Sequence, residues 1–423
     1  MTGQQVSIEV WADWLGLGGP RRMGTLHVSN ARGKESFSFE YERAWLTDPG
    51  TAQQLDPELS LFEGPHYPGT DRPNFGLFLD SCPDRWGRRI MQRREAQLAR
   101  HQRRKPRMLC QSDYLVGVHD GHRMGALRFK LSPDGPFVDD NKEFAAPPWT
   151  SLRELQHASL ELDKVDTADG SDSEKWTRML LAPGSSLGGA RPKASVLDER
   201  GEPWIAKFPS ASDDHDVGAW EGVVHQLAVT AGIDVPPAKH DRFSGPHSTF
   251  LTKRFDREAG NRIHFASALT LLQGRDGDGS GEGASYLEIA DFIAQKGARV
   301  DADLEELWRR IVFFICTSNT DDHLRNHGFL LAQGGWVLCP AYDINPNPRG
   351  SGLSINISES DNALNLDLAR EVAPYFRVSK IRVNEIIETV GVAVRNWRNE
   401  ARNLGIPRSE QDPMAVAFEG DRE

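Results

Sequence analysis

The sequence predicts an α+β protein with a mixed α/β front half and a mostly helical back half. Three observations carry that expectation. The N-terminal residues alternate apolar and polar side chains between glycine-containing turns. A glycine-rich stretch, GSSLGGARPKASV (Gly184 to Val196), runs into a second set of strand-like residues. The segment SNTDDHLRNHGFLL (Ser318 to Leu331) then packs two aspartates, two histidines, an arginine and an asparagine between a helical pattern and two short β-like runs.

Composition narrows the class. A chain of 423 residues favours two or three domains, and 38% hydrophobic with 26% charged residues is enough for an ordinary core. No apolar run approaches the roughly 20 residues that cross a bilayer. The start, MTGQQVSIEV, has neither a basic opening nor an apolar signal core, so the expected location is the cytoplasm. Cys82, Cys110, Cys316 and Cys339 are far apart and match no zinc spacing, which predicts reduced thiols. A net charge of −11 argues against a protein that wraps nucleic acid over its whole surface.

Taken in order, VSIEVWADWLG, MGTLHVSN and ESFSFEYERAWL read as strands of a small curled sheet, separated by Gly-Gly-Pro and Asn-Ala-Arg-Gly turns. A helix is expected from Arg85 to Ala99 within a densely basic run that ends at Arg107. That run reads either as a solvated helical face or as a surface for an acidic partner or DNA phosphates. The stretch YLVGVHDGHRMGALRFKL predicts a hairpin turning at Asp120-Gly121. A boundary falls near Pro148, and SLRELQHASLELD and SEKWTRMLLA follow as helical patterns.

In the glycine-rich loop, Gly184, Gly188 and Gly189 let backbone approach an anion, and Arg191 and Lys193 place positive charge just beyond it. Taken alone the loop is equally a flexible turn, since it matches neither common phosphate-binding signature. KASVLDERGEPWIAKF forms a hairpin around Glu199-Arg200-Gly201, which puts Lys207 near the end of its second strand. A lysine there reaches bound phosphates, and Glu221 on the next helix is the candidate to orient it. STFLTKRFDR reads as a strand that leaves this unit as a hinge. Beyond it, helices are expected at 286–296, 303–318 and 378–393, the last with an open continuation to 404, together with a glycine-rich acidic loop at 274–285 and a loosely ordered tail from 405.

The cluster at 318–331 has the composition that phosphoryl transfer from a magnesium nucleotide requires. One carboxylate must orient the accepting hydroxyl, and oxygen ligands must hold the metal close by. Asp321 suits the first task. Asn326, five residues on, offers an amide oxygen for the second, and Asp343 in CPAYDINP supplies a further carboxylate after a short strand pair. An isolated Asp-x-His-x-x-Asn string also occurs as capping and solvated residues. The order glycine-rich loop, Lys207, Glu221, Asp321, Asn326, Asp343 is what separates the two readings.

With these residues assembled, the chain resembles the HipA family, bacterial serine/threonine kinases that are the toxin half of two-gene toxin–antitoxin modules. The resemblance spans nearly the whole length. It is diffuse in FLDSCPDRWGRR and RMGALRF, and specific in SSLGGARPKASV, WIAKF, TKRFDR, TDDHLRN and PAYDINP. It implies a two-lobed protein-kinase-like fold with three parts: a β-rich N-terminal subdomain at 1–148, an N-lobe at 149–255 and a helical C-lobe at 256–423. The active cleft is expected between the lobes.

Position by position, the resemblance makes Asp321 the catalytic aspartate, Asn326 and Asp343 the magnesium ligands and Lys207 the ATP-phosphate lysine. Ser186 falls on the family's autophosphorylated serine, with Ser185 the adjacent alternative, and Ser186, Gly188 and Gly189 form the loop over ATP. His323 and Asp256 are similar to residues lining the nucleotide pocket. Lys253 and Phe255 fall at the hinge, Lys253 where an acidic residue often stands. The family further implies inhibition of translation through a substrate such as glutamyl-tRNA synthetase, and a small helix-turn-helix, HipB-like antitoxin that represses its operon on operator DNA. Two rivals stay open: a non-catalytic co-repressor, against which the intact acidic set argues, and a kinase of a small molecule.

Overall fold

The computed structural model describes residues 4–31, 33–141, 146–164, 176–177, 179–180, 189 and 191–420. The chain divides into two compact units, Met1–Ala211 with Asp256–Ala266, and Ser212–Phe255 with Ser267–Glu423.

In the first unit, β1 (Gln4–Ala12), β2 (Arg21–Ala31), β3 (Lys34–Tyr41), β4 (Pro65–His66) and β5 (Leu127–Lys130) build an antiparallel sheet in the order β4-β3-β2-β1-β5. The alternation read from the sequence places Ile8, Leu26 and Phe39 in one cross-strand row, and all three are fully buried. Burying each such side chain contributes roughly 1.5–3 kcal/mol. Gly24 belongs to this packing, because a Cβ there would lie 2.2 Å from the Glu40 carbonyl oxygen and 2.6 Å from the Phe39 ring.

The basic run forms α1 (Arg85–His101), capped by Asp84, whose Oδ1 accepts from Gly87 N at 2.8 Å. Helix α2 (Leu152–Lys164) follows, then a second antiparallel pair, β6 (Lys193–Leu197) and β7 (Pro203–Lys207), turning through Gly201 at φ 75°.

One expected element is replaced. Residues 114–131 are not a hairpin: Tyr114 to Val116 complete a short helix, Gln111–Val116, and Asp120–His122 form a single 3₁₀ turn. The Asp113 carboxylate accepts from Cys110 N at 2.9 Å, a helix-starting bond that outweighs the strand-like apolar run, and β5 finds its partner in β1. Arg123 lies fully buried and donates to the carbonyl oxygens of Ser81, Leu115, Val118 and Val138, which satisfies main-chain groups no strand pairs.

The second unit contains α3 (Val217–Thr230), packed on the antiparallel pair β8 (Ala238–Asp241) and β9 (Thr249–Lys253). It continues through α4 (Tyr286–Lys296), α5 (Val300–Thr317), the hairpin β10 (Gly328–Ala332) and β11 (Gly335–Leu338), α6 (Lys380–Arg395) and α7 (Arg408–Glu419). Helix α5 is central. It buries Leu304, Leu307, Trp308, Ile311 and Phe313 to Ile315 against α4, α6 and α7.

The tail is ordered, contrary to the expectation. Met414, Ala417 and Phe418 are buried at helical spacing on α7, and the Phe418 ring stacks on Trp397 at 4.8 Å with an interplanar angle of 15°. Trp220 of α3 adds a further ring 6.0 Å from Phe418.

No described helix is long and apolar enough to cross a membrane. The four cysteines are free, and burial pushes the Cys339 thiol up to about 12.

Candidate active site

Helix α5 ends where the polar cluster begins. Ser318 takes the left-handed conformation at φ 49° and caps the helix, and its hydroxyl donates to the Ala417 carbonyl at 3.0 Å. The chain then turns through Asn319 to His327 and enters β10. Several hydrogen bonds join this loop to the segment after β11. Asn345 N donates to Asn319 Oδ1 at 3.0 Å, Asn347 Nδ2 to Thr320 Oγ1 at 2.7 Å, and the Tyr342 hydroxyl to the Arg325 carbonyl at 2.6 Å.

Within the loop, neighbouring aspartates face opposite ways. Asp321 is exposed, whereas Asp322 is buried and its Oδ2 accepts both from Tyr286 Oη and, at 2.8 Å, from His327 Nε2. Asp322 is thereby removed as an alternative proton acceptor for a substrate. Asn326 is buried at 5% exposure; its Nδ2 donates to the Asp321 carbonyl at 2.8 Å, and its Oδ1 has no hydrogen-bond partner. A buried amide oxygen without a partner costs free energy unless something outside the fold completes it.

Asp343 is half-buried and left-handed at φ 58°, with Oδ1 accepting from Asn345 Nδ2 at 3.4 Å. Non-glycine residues held in that region cluster at functional sites. His323 is half-buried, and its Nδ1 has no hydrogen-bond partner.

Of the remaining expected site residues, Lys253 ends β9, and the Phe255 ring lies 5.5 Å from that of Tyr342 in the same unit. Glu221 is buried in α3. Lys207 ends β7 in the first unit, half-buried and opposite Lys193 in the strand register. Gly189 is left-handed at φ 96°, while Gly184, Ser185, Ser186 and Gly188 lie outside the described residues.

Lys193 does not serve as positive charge beside the loop. It is buried, its Nζ lies 2.8 Å from Asp84 Oδ2, and its carbonyl accepts from Trp86 Nε1 at 3.2 Å. Asp256 is fully buried in the first unit, where its Oδ2 accepts from Gly125 N at 2.8 Å and from Arg257 Nη1 at 2.6 Å. Sequence reasoning missed Tyr286, Asn345 and Asn347, which act on the loop from distant positions. Only His327, inside the motif itself, carried a local signal.

A model of the HipA-like C-terminal domain matches residues 185–397. A Haemophilus influenzae protein named "Putative kinase" is 27% identical over 189 residues, which are 39% of this chain; the chain spans 54% of that relative's length. Among solved structures, a chain of the Shewanella oneidensis complex of the toxin–antitoxin system HipA, HipB and its operator DNA superposes with a TM-score of 0.63. That match covers 97% of this chain and 95% of the other at 16% identity, and it shows the fold, a kinase-like α+β arrangement.

Proposed function

Because the chain belongs to the HipA-like C-terminal domain family, we propose that it is an ATP- and magnesium-dependent serine/threonine protein kinase, the toxin of a two-gene toxin–antitoxin module. The observation that carries the reading is the Asn326 amide, fixed at its nitrogen end to the exposed Asp321 and left with a buried oxygen that has no partner.

In this reading the exposed Asp321 carboxylate orients the accepting hydroxyl and takes its proton. Asn326 Oδ1 and the Asp343 carboxylate would hold magnesium. Among the described residues no group of three His, Cys, Asp or Glu side chains is arranged to hold a metal ion. One amide and one carboxylate suit an ion that keeps waters and phosphate oxygens in its shell. Magnesium, when bound, supplies neutralisation of charge on the phosphates. Lys207 contributes positive charge to the same end, and Lys253, Phe255, His323, Gly188 and Gly189 are retained as nucleotide-side residues. Asp256 is assigned to the packing of Gly125 and Arg257 instead.

The proposal extends to a cytoplasmic location, a HipB-like helix-turn-helix antitoxin with operator DNA bound through it, and a protein substrate of the aminoacyl-tRNA synthetase class whose modification blocks translation. It includes self-inactivation by phosphate on Ser186. The Shewanella complex of HipA, HipB and operator DNA supports the partner.

Incubation of the purified chain with ATP and magnesium, with and without glutamyl-tRNA synthetase, followed by peptide mass spectrometry, tests the kinase reading. Phosphoserine or phosphothreonine on the synthetase or on the 184–193 peptide is the expected result. Complete absence of nucleotide turnover would favour a non-catalytic co-repressor, and turnover confined to small acceptors would favour a small-molecule kinase.

A further inference from the structure

The two residues that the proposed chemistry needs most, Asp321 and Asn326, are each followed by a residue pointing into the core. Asp322 and His327 are both 1% exposed, and His327 Nε2 lies 2.8 Å from Asp322 Oδ2. That single contact closes the base of the loop, since it joins the position after Asp321 to the position after Asn326.

A third group completes it. Tyr286, the first residue of α4, is fully buried, donates its hydroxyl to the same Asp322 oxygen and sets its ring edge-on to His327 at 5.4 Å and 85°. The tyrosine is itself held in place: its N–H donates to the Asn356 carbonyl at 2.9 Å, and the preceding Ser285 Oγ accepts from Glu288 N at 3.3 Å to cap the helix. The His327 carbonyl in turn accepts from Ala268 N at 2.8 Å. Burial first, and then the adjacent Asp322 carboxylate, raise the Tyr286 phenol well above its ordinary range, so it remains a protonated donor.

A buried carboxylate oxygen receiving donors from two elements is fixed in direction, and a charge-assisted bond of this kind is among the stronger ties available inside a protein. We propose that Asp322, clamped by Tyr286 and His327, is the positioning residue of the loop: it sets the exposed Asp321 carboxylate and the Asn326 amide oxygen in their working separation. The inference rests on the phosphoryl-transfer reading for its catalytic consequence, though the clamp itself does not depend on it. Asp322 touches no reacting atom.

Three conservative variants test it. Tyr286→Phe removes one donor at nearly constant shape, Asp322→Asn removes the charge, and His327→Gln retains a donor that His327→Ala loses. Tyr286→Phe and Asp322→Asn are expected to lower kcat by tenfold or more. The KM for ATP and the calorimetric affinity for magnesium nucleotide should stay within about twofold, and the melting temperature within a few degrees. His327→Gln should recover most of the rate that His327→Ala loses. Independently of activity, amide hydrogen exchange of the 318–331 peptide should quicken in Tyr286→Phe and Asp322→Asn, with the rest of the second unit unchanged. Unaltered exchange in that peptide for both variants overturns the clamp whether or not the protein is a kinase. Wild-type kcat in both variants overturns its catalytic consequence. A wild-type protein that transfers no phosphate refutes the kinase reading alone, and the exchange result still decides the clamp.

Discussion

Asn326 Nδ2 donates to the main-chain oxygen of Asp321 at 2.8 Å, which commits the nitrogen end of the amide and leaves Oδ1 buried with no partner. The fold therefore carries a polar atom whose satisfaction must come from outside the chain, and a bound metal ion is one group that supplies it. Replacing Asn326 with alanine removes one hydrogen bond, a loss of about 1 kcal/mol, and also removes the desolvation cost of the unpartnered oxygen. The two effects oppose each other, so Asn326→Ala should melt within a few degrees of wild type. Its affinity for magnesium nucleotide should fall by tenfold or more, measured by titration calorimetry at varied magnesium. Unchanged magnesium dependence would remove Asn326 from the metal site.

Several arginines of the basic run are engaged within the fold, and Arg104 is among them. Arg104 donates to both carboxylate oxygens of Glu95, at 2.5 and 3.1 Å, and holds that carboxyl down to about 2. A carboxylate whose folded pKa is depressed adds stability above its unfolded value, and that stability is lost as pH falls through the folded value. A glutamate ordinarily titrates near 4.5, so the contribution is complete above pH 5 and is lost between about 4.5 and 2. Arg104→Gln should therefore melt below wild type at pH 7, with the gap closing as pH approaches 2. A gap of equal size at both pH values would show that the pair contributes packing alone.

Arg103 and Lys105 flank that pair and are exposed. If this surface meets operator DNA or an acidic antitoxin face, reversing both to glutamate, with Arg104 kept, should weaken the ternary complex with antitoxin and DNA. The slope of log affinity against log salt should fall by about 1 to 2 for contacts made to phosphate. An unchanged slope returns the segment to a solvated helical face.

Much of this architecture was legible because local signals agreed with one another. Ser285 and Glu288 form a capping box just ahead of apolar residues at helical spacing, and α4 runs from Tyr286 to Lys296 as read. Gly201 marks the turn between β6 and β7, and the polar cluster does lie between a helix and a hairpin. What was not legible depended on distant partners. Helix α7 owes its order to the stacking of Phe418 on Trp397, and α7 and Trp397 are joined only in the folded chain. Asp321 and Asp322 are chemically identical neighbours, and nothing local says which one faces solvent. Tyr286, 36 residues upstream, decides it by receiving Asp322 in the core. Lys193 was misplaced for a similar reason, since its partner Asp84 lies far back in the sequence.

The central claim is that Asp321 is the group that activates the accepting hydroxyl, separate from the groups that hold the metal. Asp321→Asn keeps size and exposure while removing the basic oxygen, so one experiment can read both functions. Single-turnover transfer from ATP, measured beside the calorimetric affinity for magnesium nucleotide, should show a rate loss of at least a hundredfold with affinity within about threefold of wild type. Transfer by Asp321→Asn at near wild-type rate would contradict the account.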